Sequence, residues 1–269
     1  MKIFQIIATF ILFMLYYSSN MASVVQSWTT NSDFSHGFFI PFLSAYFIWR
    51  KKSELKNIEV SPSAWGLLII IFGLLISLVG RFGQFIYLVR FSMLVVLFGL
   101  VYAQAGWQIA RKTAFSIFYL IFAIPFPEFI YNPITFNLGL FSTKLSYFVI
   151  KLFGVSASRE GNIINLPTCQ LIVAAPCSGL RSLITFMAAS LAIGYISQKT
   201  ISKRMVLFLS SIFLAILMNM LRLVSTAIVA NIFKFHEIPQ SVHDATGIIA
   251  VMLGFIFLFL INKFLAKKK

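Results

Sequence analysis

Apolar stretches long enough to cross a bilayer recur along this chain, and the polar residues between them are gathered into short turns. The pattern divides into eight expected crossings: Ile3–Val25, Phe38–Trp49, Ala64–Val79, Phe85–Ala105, Ala114–Phe126, Gly179–Ile196, Met205–Ile232 and Thr246–Leu265. The second and fifth are short, since a hydrocarbon core of ~30 Å asks for about 20 helical residues. An even number of crossings returns the chain to the side on which it began.

Two segments break this pattern. Between Ile134 and Phe153, the residues Thr135, Gly139, Ser142 and Ser146 share one helical face while Phe136, Leu140, Phe148 and Leu152 fall elsewhere. That spacing predicts an amphipathic helix lying in the interface at the outer face. Next, Arg159-Glu160-Gly161-Asn162 leads into Ile163-Ile164-Asn165-Leu166, a turn at Pro167, and the run Gln170 to Ala175. Short β-branched runs around Gly and Pro predict a small β-hairpin outside the membrane, ending at Pro176 just before Cys177. No tandem repeat, low-complexity tract or linker divides the chain, so the expected fold is one all-α integral membrane domain over residues 1–269.

Composition agrees with this reading, at 59% hydrophobic with a mean hydropathy of +0.92. The net charge of +15 would suit nucleic acid, but the basic residues sit in turns between apolar runs. The positive-inside rule explains them, so membrane lipid is the expected surrounding and nucleic acid is not a partner. With Lys2 placed inside, the inner side also takes Arg50, Lys51, Lys52, Lys56, Arg111, Lys112, Lys199, Lys203, Arg204, Lys263 and Lys267 to Lys269, fourteen of the twenty-two Lys and Arg. The outer side takes Asp33, Glu128, Glu160, Glu237 and Asp244, five of the seven acids, and both termini fall inside. Met1-Lys2 followed by Ile3 to Tyr17 has the look of a signal peptide, yet no small-x-small site follows it, and it is read as a retained first span.

Asn219 and Arg222 interrupt the apolar run Met205–Ile232, and a guanidinium in a membrane span is costly unless something uses it. From the basic turn ending at Arg204, eighteen residues of helix carry Arg222 about 27 Å, nearly the whole ~30 Å core, to the outer boundary. Cys177 lies twenty-two residues before Lys199, about 33 Å, and His243 lies twenty before Lys263, about 30 Å. All three reach the same face. A thiol, an imidazole and a guanidinium suit acyl transfer: the thiolate attacks a carbonyl, the imidazole moves protons, and the cation stabilises thiolate or oxyanion. Cys177-Ser178-Gly179 also opens a span, so the thiol meets the positive end of a helix, with Arg181 one turn away.

Each residue has a plainer reading. Cys177 can be a small apolar filler, or half of a disulfide with Cys169 in an oxidising exterior. His243 can cap or solvate the last helix beside Ser241 and Asp244. Arg222 can be a counter-ion to Asp244 or a snorkelling charge.

The segment Ala175-Pro176-Cys177-Ser178-Gly179-Leu180-Arg181, then Asn219-Met220-Leu221-Arg222, then His243 followed by Gly247, resembles the signature of exosortases and archaeosortases, multi-spanning cysteine transpeptidases. Asp33-Phe34-Ser35-His36-Gly37, leading into a short span that ends Trp49-Arg50-Lys51-Lys52, resembles the N-terminal part of the same family. Pro176 stands where relatives often carry Ala, a departure that leaves the chemistry-bearing residues intact. The resemblance implies Cys177 as nucleophile, Arg222 as its supporting cation and His243 as acid/base. Arg181, Asn219 and Ser178, in the same motifs, are supporting or substrate-binding candidates; His36, at the outer end of the second span, can bind the recognition motif or support the site, or be a satisfied interfacial histidine. It further implies a location in the cytoplasmic (inner) membrane with the site facing the extracytoplasmic side. The implied partners are exported proteins that carry a C-terminal recognition motif, a transmembrane helix and a basic tail.

The chain has three histidines, His36, His236 and His243, and few acids near them, so no zinc ligand set is evident and no metal or other cofactor is expected. Two other functions remain on sequence grounds: a transporter whose Arg222 and Asn219 line an anion path, and a membrane scaffold for export in which Cys177 is not catalytic. A transporter favours internal repeats and midplane polar residues, whereas this polar set lies at one face.

Overall fold

The computed structural model describes residues 2–173 and 177–267, most of them helical. Ala174, Ala175 and Pro176, expected to close the hairpin and head the cysteine motif, lie outside the described residues, as do Lys268 and Lys269 of the C-terminal basic cluster. Contacts gather into two compact units, Met1–Pro127 and Glu128–Lys269.

The first unit runs α1 (Lys2–Thr30), a 3-10 segment (Ser32–Phe38), α2 (Phe39–Arg50), α3 (Lys52–Lys56), α4 (Trp65–Phe82), α5 (Ile86–Ala105) and α6 (Trp107–Tyr119), which continues as 3-10 helix over Leu120–Ala123. Helix α4 buries Gly66, Gly73, Ser77 and Gly80 on one face. In lipid, helices gain by close backbone approach more than by hiding apolar side chains, and these small residues permit it. A Cβ on Gly73 would stand 2.6 Å from Val96 Cγ2 of α5, so the spacing of α4 and α5 depends on its absence. Hydroxyl pairs tie α1 to both: Tyr16 to Ser77 at 3.0 Å and Tyr17 to Ser92 at 2.8 Å.

At one end of this unit Lys112 Nζ donates to Glu54 Oε2 at 2.7 Å and Lys51 Nζ to the Lys112 carbonyl at 3.0 Å. The Arg50–Lys56 and Arg111–Lys112 clusters therefore share an end, as the charge pattern requires. The Lys112 bond also holds the Glu54 carboxyl below its usual range. Elsewhere in the unit, Trp28 Nε1 donates to the Ala123 carbonyl at 2.7 Å, anchoring the residues around Ser32–Phe38 to the tail of α6.

The second unit comprises α7 (Glu128–Leu152), strands β1 (Ser158–Glu160), β2 (Ile163–Asn165) and β3 (Gln170–Ile172), then α8 (Leu180–Ser197), α9 (Ile201–Ile232) and α10 (Gln240–Lys267). Helix α9 is central, packing against α7, α8 and α10. Hydroxyl pairs again lock the helices: Ser190 to Ser211 between α8 and α9 at 3.1 Å, and Thr226 to Thr246 between α9 and α10 at 2.9 Å. Gln198 Nε2 reaches Asn262 Oδ1 at 2.7 Å, bringing the basic turn after α8 to the same end as the basic tail of α10. Cys177, which precedes α8, is at the opposite end of that helix.

The structure corrects two details. The expected hairpin is a three-stranded antiparallel meander in the order β1-β2-β3, because Gly161, at φ +59°, allows a tight turn that recruits Ser158–Glu160 as an extra strand. Its buried Ile164 and Leu171 pack with Ile150 of α7 and Leu223, Val224 and Ala227 of α9. The helical face of Thr135, Gly139, Ser142 and Ser146 is buried rather than turned to water, while Phe136, Phe148 and Leu152 are 61%, 62% and 70% exposed. The amphipathic helix is there, with its sense reversed: small polar residues make the protein contact and large apolar ones face outward.

Six described helices are long and apolar enough to cross a membrane: Phe4–Thr30, α4, α5, α8, α9 and α10. The expected second and fifth crossings correspond to α2 and α6, helices of 12 and 13 residues. If close α4–α5 contact organises the first unit, Gly73→Leu should destabilise the detergent-solubilised protein by about 1–3 kcal/mol. Leu75→Ala, at an exposed position on the same helix, should stay within about 0.5 kcal/mol by thermal unfolding.

Candidate active site

The turn that leads into α8 is held from two neighbouring helices. Asn219 of α9, only 3% exposed, donates its Nδ2 to the Cys177 carbonyl at 3.1 Å and to Ser142 Oγ of α7 at 3.2 Å. Ser142 Oγ in turn donates to the Ser178 carbonyl at 3.3 Å. Ser178 Oγ accepts the Leu180 N–H at 3.3 Å, satisfying one of the free donors at the start of α8. Two successive carbonyls around the cysteine are thus fixed by side chains of α7 and α9. Gly179, the residue before α8, has φ +92°, and a Cβ there would lie 2.8 Å from Asn219 Cγ. Glycine is demanded twice, by the left-handed torsion and by the closeness of Asn219.

Arg222 follows Asn219 by three residues, on the same side of α9. Its guanidinium lies along Gly247 of α10, where a Cβ would come within 3.2 Å of Nε and 3.4 Å of Cζ. Nη2 approaches the His243 carbonyl at 3.5 Å, the outer limit of a hydrogen bond. Thr226 and Thr246 meet one turn beyond Arg222 and His243, fixing the register that brings these two together. Thr226 Oγ1 also bonds the Arg222 carbonyl at 2.8 Å. Asp244 is occupied by Gln240 Nε2 at 2.9 Å.

These side chains surround a cavity of about 480 Å³, walled by Arg181 and Ser182 of α8, Met218, Asn219 and Arg222 of α9, and His243, Asp244, Gly247 and Ile248 of α10. Two guanidiniums, an imidazole and one carboxylate give it a positive character. Asn219 Oδ1 is buried there without a hydrogen-bond partner. Such a site can hold an anionic or strongly polarised group and exchange protons with it. Among the described residues no three His, Cys, Asp or Glu side chains gather as metal ligands.

Of the residues singled out from sequence, Arg181, Asn219, Arg222 and His243 share this cavity. Cys177 adjoins it through the Asn219 hydrogen bond, but its side chain, 9% exposed, packs in the core with Leu171, Leu223 and Val224 and does not wall the cavity. Both cysteines are free thiols, which removes the Cys169–Cys177 disulfide. Burial pushes the Cys169 thiol up. His36 belongs to the first unit, where its Nε2 lies 3.1 Å from the Phe122 carbonyl. His236 is exposed in the turn between α9 and α10. Sequence reasoning missed Ser142 as a partner of the cysteine turn; the signal was its place on the small polar face of α7.

The family model of the transmembrane exosortases matches residues 28–260, which include every residue of this site. No curated protein and no solved structure matches the chain.

The contact between residue 179 and Asn219 predicts a coupled pair. Gly179→Ala should cost about 1–2 kcal/mol for the torsion alone, with the clash added to it. In the Gly179→Ala/Asn219→Ala double variant the two contacts at 2.8 Å are gone and only the Cβ contact at 3.0 Å is left, so the summed single losses should exceed the double loss by about 1 kcal/mol in thermal unfolding. Strict additivity would show that the two positions do not press on each other.

Proposed function

Because the chain belongs to the transmembrane exosortase family, we propose that it is a membrane-embedded cysteine transpeptidase that cleaves the C-terminal sorting signals of exported proteins. The observation that carries this reading is the cavity in which Arg222 and His243 meet beside Asn219, the residue whose amide holds the Cys177 carbonyl. The protein sits in the cytoplasmic membrane, with both termini cytoplasmic and this site facing the extracytoplasmic side. Its substrates carry a recognition motif, a transmembrane helix and a basic tail. A site at the outer boundary meets a peptide bond just outside the substrate's membrane helix, and lateral docking of that helix supplies the positioning.

In this reading the Cys177 thiol turns from its packed position against Leu223 and Val224 toward the cavity as substrate arrives. The thiolate sulfur bonds to the scissile carbonyl carbon, Arg222 stabilises the oxyanion, and His243 passes a proton to the departing amine as the C–N bond breaks. A thioester on Cys177 remains. An acceptor nucleophile, its proton taken by His243, then displaces the sulfur and regenerates the thiolate.

Cys177→Ala should abolish C-terminal processing of membrane-anchored exported proteins while the variant accumulates normally. Processing that survives this substitution would favour a scaffold or transporter. Because this reading has the Cys177 thiol turn into the cavity while Cys169 stays packed beside the sheet, an impermeant thiol reagent applied to spheroplasts should label Cys177 in preference.

Arg222→Lys should lose most processing without loss of protein, since an ammonium cannot make the paired hydrogen bonds of a guanidinium. Near-normal activity would mean that charge alone suffices. His243→Ala should leave full-length substrate and no hydroxylamine-sensitive adduct, because an amine departs poorly without a proton. Accumulation of the adduct would instead assign His243 to the second half of the reaction.

A further inference from the structure

The meander that precedes Cys177 has two edges, and they differ. The flanking bonds, Val173 N–H to the Asn162 carbonyl at 2.9 Å and Leu166 N–H to the Cys169 carbonyl at 2.8 Å, set the phase of the β2–β3 ladder. With Ile164 opposite Leu171, alternation makes 162/173, 164/171 and 166/169 the hydrogen-bonded pairs. The N–H and C=O of Gln170 and Ile172 therefore point away from β2, along the open edge of β3. Both residues are exposed, Ile172 at 53%, and no described group bonds to their main chains. Helix α7 packs on β1 and β2, the other part of the sheet.

By the same alternation Arg159 turns its main chain outward on the β1 edge. That edge carries exposed Arg159 and Glu160, the charges that ordinarily guard an edge against pairing. The β3 edge carries Gln170 and Ile172 and has no such guard. It is also close in sequence to the nucleophile: Cys177 follows Ile172 by five residues, at most about 18 Å of extended chain.

The geometry points to the β3 edge as the docking strand for substrate: an extended peptide segment of the exported protein's tail pairs with Gln170–Ile172 as a fourth strand, and the added strand delivers its scissile bond toward Cys177. The inference rests on the transpeptidase reading and supplies its mode of peptide recognition. Main-chain pairing gives the peptide affinity and register, and its alternate side chains are left to confer specificity. An extended segment also presents its carbonyls to attack without the helix that follows it in the membrane having to unwind.

The test uses the full chain in cells, with a reporter fused to the C-terminal tail of an exported protein that the wild-type chain cleaves. A benzophenone amino acid at position 172 in the Cys177→Ala background should cross-link to that reporter, and one at position 159 should not. Ile172→Pro, which removes an outward N–H without touching the β2 pairing, should reduce processing about tenfold, the size of one unmade hydrogen bond. Arg159→Pro, the corresponding change on the other edge, should process at the wild-type rate. Reporter cross-links absent from position 172, or found there only to a second copy of this chain, would overturn the docking strand, whether or not Ile172→Pro accumulates. Wild-type processing with that cross-linking result leaves the transpeptidase standing and the docking site lost. Processing that persists in Cys177→Ala removes the reading on which both depend.

Discussion

The side-chain amide of Asn219 is the interaction on which the rest of the site depends. Nearly fully buried, it spends its donor on the Cys177 carbonyl and on Ser142, and so joins α7, α8 and α9 at one point. Where no water competes, an unmade polar bond costs more than a made one gains, and this favours a single arrangement of the three helices. Gly179 follows from it, because any side chain there would displace the amide. Arg222, three residues along, then has its position fixed by the same helix.

The second unit is built for precision where it meets the cysteine and for lipid elsewhere. Hydroxyl pairs at Ser190–Ser211 and Thr226–Thr246 set helix registers that apolar packing in a bilayer would leave loose, since lipid tails compete equally for apolar side chains. The Thr226–Thr246 pair matters most for chemistry because it sets α10 against α9, and with it His243 against Arg222. Room for that guanidinium comes from Gly247.

Charge and the sheet complete the picture. Arg181 and Arg222 make the cavity positive, which suits the oxyanion and thiolate that acyl transfer generates. The meander rests on the Leu223 and Val224 region of α9, the same core in which Cys177 packs. A peptide aligned on its open edge would be oriented by the same scaffold that holds the cysteine.

Much of this was legible in one dimension. Apolar run lengths foretold α4, α5, α8, α9 and α10 to within a few residues, although Arg111, Lys112, Lys203 and Arg204, expected in turns, lie inside α6 and α9; simple rise per residue put Cys177, Arg222 and His243 at a common end. The short strands were legible from β-branched runs, though Ser158–Glu160 was hidden because an exposed polar edge strand has no apolar signature. The face of α7 was visible as a pattern and misread in sense, since a sequence states which residues share a face but not whether water, lipid or protein lies against it. Only the tertiary structure decided that Asn219 and Ser142 grip the cysteine turn, that Gly247 makes room for Arg222, and that the thiol rests in the core beside the cavity rather than in its wall. Those facts depend on contacts between residues up to 77 positions apart, set by helix registers that no local periodicity encodes.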